Sequence, residues 1–193
     1  MPPSSPSAVL TPTEKSVALI DAARSLFIKK GFAKVGMREI AGLAGLNPMQ
    51  AYRLGLAKED LLAEISIQLT AEQLTTITAG FSPGPDETLQ TFVERDLLQF
   101  YESDIAYISI RKESAAYGWM WSSKYESRII EQVIAVLQPL SDAMASQGLQ
   151  NIPDRGFSIW AMYYVGYRLA VIKGASANDC LNQIKNSLTL VLR

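Results

Sequence analysis

Hydrophobic residues recur every three or four positions along most of the chain, and the strict alternation of a β-strand is nearly absent. This pattern predicts an all-α fold of about nine helices. Glycine or proline stands at most of the breaks between the periodic segments, as expected for helix ends. The predicted helices cover about 13–30, 37–44, 48–54, 58–80, 86–101, 104–117, 123–147, 153–173 and 176–192.

Several helix limits are assigned to individual residues. Thr13 and Asp86 are predicted N-caps, because their side-chain oxygens can accept a hydrogen bond from a free backbone N–H. Asn47 is also a predicted N-cap, and Pro48 follows it at the first helical position, where proline loses no hydrogen bond. Pro139 lies inside the seventh periodic segment and predicts a kink or a split in that helix.

The second and third helices are short and are joined by a three-residue turn, Gly45-Leu46-Asn47, which predicts a helix-turn-helix unit. The small residues Ala41 and Ala44 allow the two helices to cross closely, and Leu46 fills the crossing. The predicted organisation is a disordered leader at 1–12, a helix-turn-helix domain at 13–57 and a second helical domain at 58–193.

A helix-turn-helix unit presents the N-terminal face of its second helix to the major groove of DNA. Glutamine can pair with adenine, arginine can pair with guanine, and a methionine side chain can rest against a thymine methyl group. Four residues are expected on this outward face and are the base-contact candidates: Asn47, Met49, Gln50 and Arg53.

Phosphate contacts are expected beside the reading face, where they hold a protein in register without reading sequence. From its spacing Tyr52 should be half-buried, with a hydroxyl that reaches a phosphate oxygen. Lys58 begins the next helix, whose free N–H groups also favour an anion. The phosphate-contact candidates are Arg38, Tyr52 and Lys58.

The stretch from 18 to 62, ALIDAARSLFIKKGFAKVGMREIAGLAGLNPMQAYRLGLAKEDLL, resembles the DNA-binding domain of TetR-type bacterial transcriptional regulators. The shared landmarks are Ala22-Ala23, Leu26-Phe27, Gly31-Phe32, Ile40-Ala41, Ala44-Gly45, Tyr52 and Lys58-Glu59 with Leu61. The resemblance implies phosphate contact through Tyr52 and Lys58. For residues 58–193 the resemblance is limited to length, helical organisation and an apolar penultimate helix. For these residues the resemblance implies ligand binding in a cavity and dimerisation.

Three positions depart from the family pattern. Gly36 stands where Thr or Ser usually caps the second helix, Gly55 where an aromatic residue is usual, and Ala57 where Ser usually caps the fourth helix. Two interpretations stay open: drift that leaves the domain intact, with Gly55 ending the third helix, or a loosened domain that binds DNA weakly or only with a ligand. Losing a cap oxygen costs about 0.5–2 kcal/mol, so we expect the domain to fold in either case.

The eighth helix carries bulky apolar residues around its whole circumference, which predicts burial on all sides. In a small chain such burial indicates a second copy as partner, and Gly166, Ala170 and Gly174 would allow close helix approach. The resemblance likewise implies that the last two helices of two copies form a four-helix bundle. The dimer-interface candidates are Trp160, Tyr167, Val171, Leu181, Ile184 and Leu188.

Aromatic and methionine side chains concentrate at YGWMW, 117–121. Such a lining suits a flat or lipophilic small molecule, although the same residues are also typical of a plain core. Nearby Arg111, Lys112 and Glu113 could orient a polar group of such a molecule, but a solvated face is the favoured interpretation. The candidates for an effector pocket are Tyr107, Tyr117, Trp119, Met120, Trp121 and Tyr164.

Composition narrows the chemistry. The chain has no histidine and one cysteine, which removes histidine-based catalysis, most zinc sites and any intrachain disulfide. We therefore expect no metal, no cofactor and an unreactive Cys180. Residues 1–60 carry 8 Lys and Arg against 5 Asp and Glu, and residues 61–193 carry 10 against 14, so the basic end suits a polyanion. No apolar run reaches the roughly 18 residues that span a membrane, and no secretory signal is evident, so we expect a cytoplasmic protein.

These patterns predict a ligand-responsive transcriptional regulator, and in particular a repressor. It is expected to bind a pseudo-palindromic DNA operator as a homodimer and to be released or altered by a small lipophilic or aromatic effector. Two alternatives stay open. One is a helical ligand-binding dimer whose degenerate head no longer binds DNA. The other is an all-helical enzyme that uses the aromatic pocket, which no charged pair with catalytic spacing supports.

Overall fold

The computed structural model describes residues 10–77, 82–121 and 123–193, apart from the side chains of Trp119 and Ser123. This part of the chain is all-helical, as predicted, with nine α-helices and two single-turn 3-10 helices at Phe32–Lys34 and Gly118–Met120. None of the helices described is both long enough and apolar enough to cross a membrane. The α-helices are α1 (Pro12–Lys30), α2 (Met37–Leu43), α3 (Pro48–Arg53), α4 (Lys58–Ile77), α5 (Leu89–Ala106), α6 (Ile108–Tyr117), α7 (Ser123–Ser146), α8 (Ile152–Lys173) and α9 (Ala177–Val191).

Two helices begin at a different cap from the predicted one. Thr11, and not Thr13, caps α1: its Oγ1 accepts the Glu14 N–H at 3.2 Å, and the Glu14 carboxylate accepts the Thr11 N–H at 2.7 Å. Thr88, and not Asp86, caps α5, because its Oγ1 accepts a backbone N–H of the first turn at 3.1 Å. In both places two residues with suitable side-chain oxygens stand two positions apart in the sequence. Only the hydrogen bonds in the structure show which of the two is the N-cap.

Other predicted limits also changed. Residues 1–9 of the predicted leader and residues 78–80 of the predicted fourth helix lie outside the described residues, whereas Pro12 already belongs to α1. α5 continues to Ala106, so α6 begins later than predicted. α7 is continuous through Pro139, and the predicted split does not occur.

The contacts divide the chain into two units, a head that ends at Ile65 and a body from Ser66 to Arg193. In the head, α1 packs on α2, and α2 packs on α3. Phe27 and Phe32 meet edge to face in its core, with ring centroids 5.1 Å apart. The division falls inside α4, so this one helix belongs to both units.

The core of the body is built on α8, which packs most extensively against α9, and α5 contacts both. Gly166 of α8 lies where the three helices approach each other. A Cβ atom at this position would lie 2.2 Å from the Tyr101 hydroxyl oxygen and 2.7 Å from the Cys180 carbonyl oxygen. The same hydroxyl donates to the Tyr163 carbonyl at 2.9 Å. Close approach at Gly166 therefore serves packing inside the subunit.

Gly166→Ala is expected to destabilise the body by about 1–3 kcal/mol or more, the range for an overpacked core. The added methyl group has to displace a hydrogen-bonded tyrosine and a backbone carbonyl. Urea denaturation followed by circular dichroism measures the change. The matched control is Gly42→Ala in α2, where a Cβ atom meets nothing within 4 Å. Equal stability of the two variants would contradict the packing argument.

Candidate functional site

α3 starts with a reciprocal pair of hydrogen bonds between its cap and its third residue. The Asn47 Oδ1 accepts the Gln50 backbone N–H at 2.9 Å, and the Gln50 Oε1 accepts the Asn47 backbone N–H at 2.9 Å. Pro48 stands between them at the first helical position. The cap is present as predicted, and the side chains of two base-contact candidates are engaged in it.

The other two base-contact candidates face solvent. Met49 is 59% exposed, and Arg53 lies four residues further along the same side of α3 and is also exposed. Tyr52 is 81% exposed, so its predicted half-buried position is wrong. The reason is that α3 is short and turns only Ala51 fully into the core of the head.

A concavity of about 700 Å³ opens in the head between the start of α2 and α3. Three of the predicted DNA contacts border it, namely Arg38, Tyr52 and Arg53. Neither arginine forms a hydrogen bond or an ion pair with the part of the chain that the structure describes. Both guanidinium groups are therefore available to an anion, for which they are strong donors. The rest of the lining is Met37, Pro48, Ala51, Gly55, Leu56 and Ala57.

Lys58 is engaged inside the head. Its ammonium donates to the Phe32 carbonyl at 3.1 Å and to the Val35 carbonyl at 3.2 Å, and it lies 4.1 Å from the centroid of the Phe32 ring. An ammonium has three N–H donors, and two are used in these bonds. Lys58 therefore ties the loop after α1 to the start of α4, and its phosphate contact stays a prediction.

The three departures from the family pattern are accommodated in the head. Gly36 caps α2 without a side-chain hydrogen bond. The Ala57 N–H donates to the Asp60 carboxylate at 2.8 Å, so α4 retains one capping bond. Gly55 ends α3 with φ +66° and donates its N–H to the Tyr52 carbonyl at 3.0 Å. A larger residue would be strained at this φ, so Gly55 suits the turn that this chain makes.

A family model for bacterial regulatory proteins of the tetR family matches residues 19–65. This range holds most of α1, all of α2 and α3, and the start of α4. The head belongs to the tetR family. The resemblance inferred from the sequence is thereby confirmed.

Three solved structures are similar over nearly the whole chain. A TetR transcriptional regulator from Rhodococcus sp. RHA1 has a TM-score of 0.68 and 16% identity, over 93% of this chain and 96% of that one. Salmonella enterica GusR has a TM-score of 0.62 and 16% identity, over 96% and 99%. FadR from Bacillus subtilis, in complex with stearoyl-CoA, has a TM-score of 0.61 and 16% identity, over 92% and 97%. The likeness shows a shared fold. No curated protein sequence matches the chain.

The body that follows the TetR-type head has an apolar outward face on α8. Trp160 lies half-buried at its edge, with its ring 5.8 Å from that of Phe157 and 5.3 Å from that of Tyr164. An exposed face that is apolar except for Arg168 is typical of a protein–protein contact. The exposed residues at helical spacing along this face are Phe157, Ala161, Tyr164, Val165, Arg168, Val171 and Ile172.

Four of the predicted dimer-interface residues do not lie on an outward face. α9 has one strong apolar stripe, and it packs against α8 and α5 of the same subunit. These side chains are therefore covered within the subunit itself, and the structure does not support them as contacts with a partner. Trp160 and Val171 remain candidates. The four residues buried in the subunit's own core are Tyr167, Leu181, Ile184 and Leu188.

The described side chains do not bring the predicted aromatic pocket together. Met120 is 71% exposed, and Tyr164 stands on the outward face of α8. Tyr117 and Trp121 are partly buried, and the Trp119 side chain lies outside the described residues. The segment forms a 3-10 turn and then extended backbone at Trp121, so its side chains do not keep the spacing of one helix face. Of the six candidates, Tyr107 lines a cavity.

That cavity, of about 430 Å³, lies between α4 and α5 of the body. Carboxylates and amides make up much of its wall, together with a few apolar side chains. The lining residues are Leu69, Glu72, Gln73, Thr76, Ile77, Gln99, Glu102, Ser103 and Tyr107.

A buried polar network adjoins the cavity. The Nε of Arg111, on α6, lies 3.0 Å from an Asp104 carboxylate oxygen on α5. The Nη1 of Arg111 donates to the Thr70 hydroxyl at 3.0 Å, and its Nη2 donates to the Gln73 amide oxygen. Asp104 also accepts the Gln73 amide at 2.6 Å and the Tyr163 hydroxyl at 2.8 Å. Burial and the Asp104 charge hold the pKa of Tyr163 well above its usual value, so this hydroxyl remains a donor.

The sequence reasoning missed this network, because it assigned Arg111 to a solvated face, whereas the residue is buried. A weak signal was present in the sequence. Ser66, Thr70 and Gln73 place three polar side chains at helical spacing on α4, and all three accept hydrogen bonds from Arg111.

Proposed function

We propose that this protein is a ligand-responsive transcriptional regulator, and specifically a repressor, that binds a pseudo-palindromic DNA operator as a homodimer in the cytoplasm. The observation that carries the proposal is the exposed face of the TetR-type head. There Arg38, Tyr52 and Arg53 border one concavity, and neither arginine has a partner among the described residues.

This face has the chemistry that binding to a DNA backbone requires. The Arg38 guanidinium and the Tyr52 hydroxyl can donate to phosphate oxygens, and the Arg53 guanidinium beside them can reach a phosphate or a base edge. Met49 stands exposed beside them, where an apolar side chain can meet a base edge. Because the three departures from the family pattern leave the face folded and exposed, we favour DNA binding over a degenerate head.

The outward face of α8 supports a homodimer. A dimeric helix-turn-helix regulator places two reading helices in major grooves about 34–36 Å apart. A second copy that covers the same face of α8 gives a symmetric contact, the commonest arrangement in soluble dimers. Trp160 and Val171, with the exposed residues between them, are the proposed contact.

The cavity between α4 and α5 is the proposed effector site. Its volume of about 430 Å³ falls within the roughly 300–1,000 Å³ of small-molecule sites. FadR from Bacillus subtilis, whose fold is similar, was solved in complex with stearoyl-CoA, which supports ligand binding by this kind of body. The lining combines Glu72 and Glu102 with Leu69 and Tyr107. We therefore propose an effector that has hydrogen-bond donors beside its apolar part.

The polar network offers a route from the effector to α4. Gln73 and Ser103 both line the cavity, and the Gln73 amide donates to the Ser103 hydroxyl at 2.9 Å. A ligand that bonds either residue competes with the bonds that hold α4 to Asp104 and Arg111. Since α4 also forms part of the head, a ligand that prefers one position of α4 shifts DNA affinity by linkage.

Fluorescence anisotropy with duplex DNA from upstream of the protein's own coding region tests the proposal. We expect saturable binding that weakens about 10³–10⁵-fold between 50 and 200 mM salt, as for a protein with 6–10 phosphate contacts. Absence of binding at about 50 mM salt, both to this DNA and to random duplexes, would reject the regulator and favour the ligand-binding dimer with a degenerate head.

Tyr52→Phe is expected to weaken binding to all DNA sequences alike, by about 2- to 10-fold, the net value of one hydrogen bond. The melting temperature should stay unchanged, since the Tyr52 side chain is exposed and its ring is retained. Anisotropy titrations with specific and random duplexes measure the effect. Tyr117→Phe, which removes a hydroxyl from α6 of the body, is the control and should not change DNA affinity. A loss confined to one DNA sequence would show that Tyr52 reads a base.

A further inference from the structure

We propose that Met49 and Arg53 read the base sequence, and that Asn47 and Gln50 are positioning residues whose side chains hold the start of α3. The inference rests on the proposed DNA-binding function. It divides the four predicted base-contact residues into two kinds, according to the hydrogen bonds that each one makes.

The cap determines which way the two side-chain amides face. A backbone N–H can be accepted only by an oxygen, so the Asn47 Oδ1 faces the Gln50 N–H, and the Gln50 Oε1 faces the Asn47 N–H. The NH₂ group of each amide is then directed elsewhere, and it can only donate.

Adenine recognition by asparagine or glutamine uses both ends of the amide. The oxygen accepts the N6 amino group of the base, while the NH₂ group donates to N7. In Asn47 and Gln50 the oxygen already accepts a backbone N–H of the helix. The amide oxygen has a second lone pair, but the cap fixes the orientation of each amide, so turning both of its ends to adenine would strain the cap of α3.

α3 depends on this cap more than a longer helix would. It has 6 residues, far fewer than the roughly 12–15 that an isolated helix needs for even marginal stability. Ala51 is its one fully buried residue, so packing contributes little to holding it. Opening the cap for a base contact would loosen the helix that carries the contact.

The side chains of Met49 and Arg53 take no part in the cap of α3. They lie four residues apart on one side of α3, and both are exposed. Arg53 has no hydrogen bond or ion pair with the residues that the structure describes. Its guanidinium can therefore pair with O6 and N7 of guanine, and the Met49 side chain can contact a thymine methyl group.

Selection from a random duplex library with the full-length protein tests this division. Four variants are selected in parallel with the wild type. Met49→Ala removes the apolar contact, and Arg53→Lys keeps the charge but loses the bidentate donor geometry of the guanidinium. Asn47→Ser and Gln50→Glu both preserve a side-chain oxygen for the cap, since the Ser/Thr and Glu/Gln pair forms the same reciprocal bonds.

Met49→Ala and Arg53→Lys should each lose the preference at one base position, for Arg53→Lys by about 5- to 150-fold, the range for a two-bond contact. Asn47→Ser and Gln50→Glu should keep the wild-type preference at every position. Gln50→Glu should bind all sequences more weakly, because its carboxylate repels phosphate. Asn47→Ala, which removes the cap oxygen, should melt at a lower temperature and lose affinity for all sequences alike, and Asn47→Ser should restore both.

A changed base preference in Asn47→Ser or Gln50→Glu overturns the inference and leaves the proposed function standing. An unchanged base preference in both Met49→Ala and Arg53→Lys also overturns the inference and leaves the proposed function standing. If the wild-type protein enriches no sequence at all, the proposed function fails, and the inference fails with it.

Discussion

Arg111→Ala is expected to lower the free energy of unfolding by about 3–5 kcal/mol, the usual cost of removing one member of a buried ion pair. The substitution leaves the Asp104 carboxylate, which is mostly buried, without its cationic partner. It also removes the N–H groups that donate to the Thr70 hydroxyl and to the Gln73 amide oxygen. The polar link between α6 and α4 is lost with these two hydrogen bonds. Because domains are stable by only about 5–15 kcal/mol, we expect a large shift of the urea midpoint.

Lys112→Ala is the matched control, since Lys112 is the exposed neighbour of Arg111 on α6. Its effect should stay within about 0.5 kcal/mol, as for most surface substitutions. Adding Asp104→Asn to Arg111→Ala should restore part of the lost stability, because the uncompensated charge is gone. If Arg111→Ala cost no more than Lys112→Ala, the pair would not stabilise the body.

Val165→Asp is expected to convert the proposed homodimer into a monomer and to weaken binding to the proposed operator by about 10²–10⁴-fold. Val165 is 57% exposed on the outward face of α8, so one subunit tolerates the carboxylate. A paired copy would have to bury two added carboxylates in a mostly apolar contact, and their desolvation penalty can exceed the attraction of the neighbouring Arg168. The loss of DNA affinity follows because a monomer no longer holds its second head at high effective concentration.

Light scattering after gel filtration measures the first effect: the wild type should have twice the 21.2 kDa mass of one subunit, and the variant should have 21.2 kDa. Anisotropy measures the second. Ile134→Asp is the control, since it places the same charge at a similarly exposed position on α7. Dissociation of both variants, or of neither, would argue against the α8 face as the contact.

The head was largely predictable from its sequence. The cap at Asn47, the stop at Gly55 and the family each depend on residues that are close together in the chain. Exposure was harder to predict. The spacing of Tyr52 along the helix predicted a half-buried side chain. However, α3 is too short to bury a broad face, and the Tyr52 side chain is exposed.

The body was predictable only in part. Helical periodicity gave its helices, because periodicity is a local property. The aromatic cluster at 117–121 led to the pocket prediction, whereas the cavity lies between α4 and α5 and is lined by polar and apolar side chains alike. Polar side chains that form a cavity wall leave the same sequence pattern as a solvated helix face, so their role was not visible.

The sequence by itself determined that the chain is all-helical, that it carries a helix-turn-helix unit of the tetR family, and where most helices begin and end. Each of these follows from interactions within a few turns of the chain. Only the tertiary structure decided which apolar faces form the subunit's own core and which are left for a partner. It also decided that Arg111 is buried, because its acceptors on α4 lie 38 to 45 residues away in the sequence. No local pattern records which distant residues will meet.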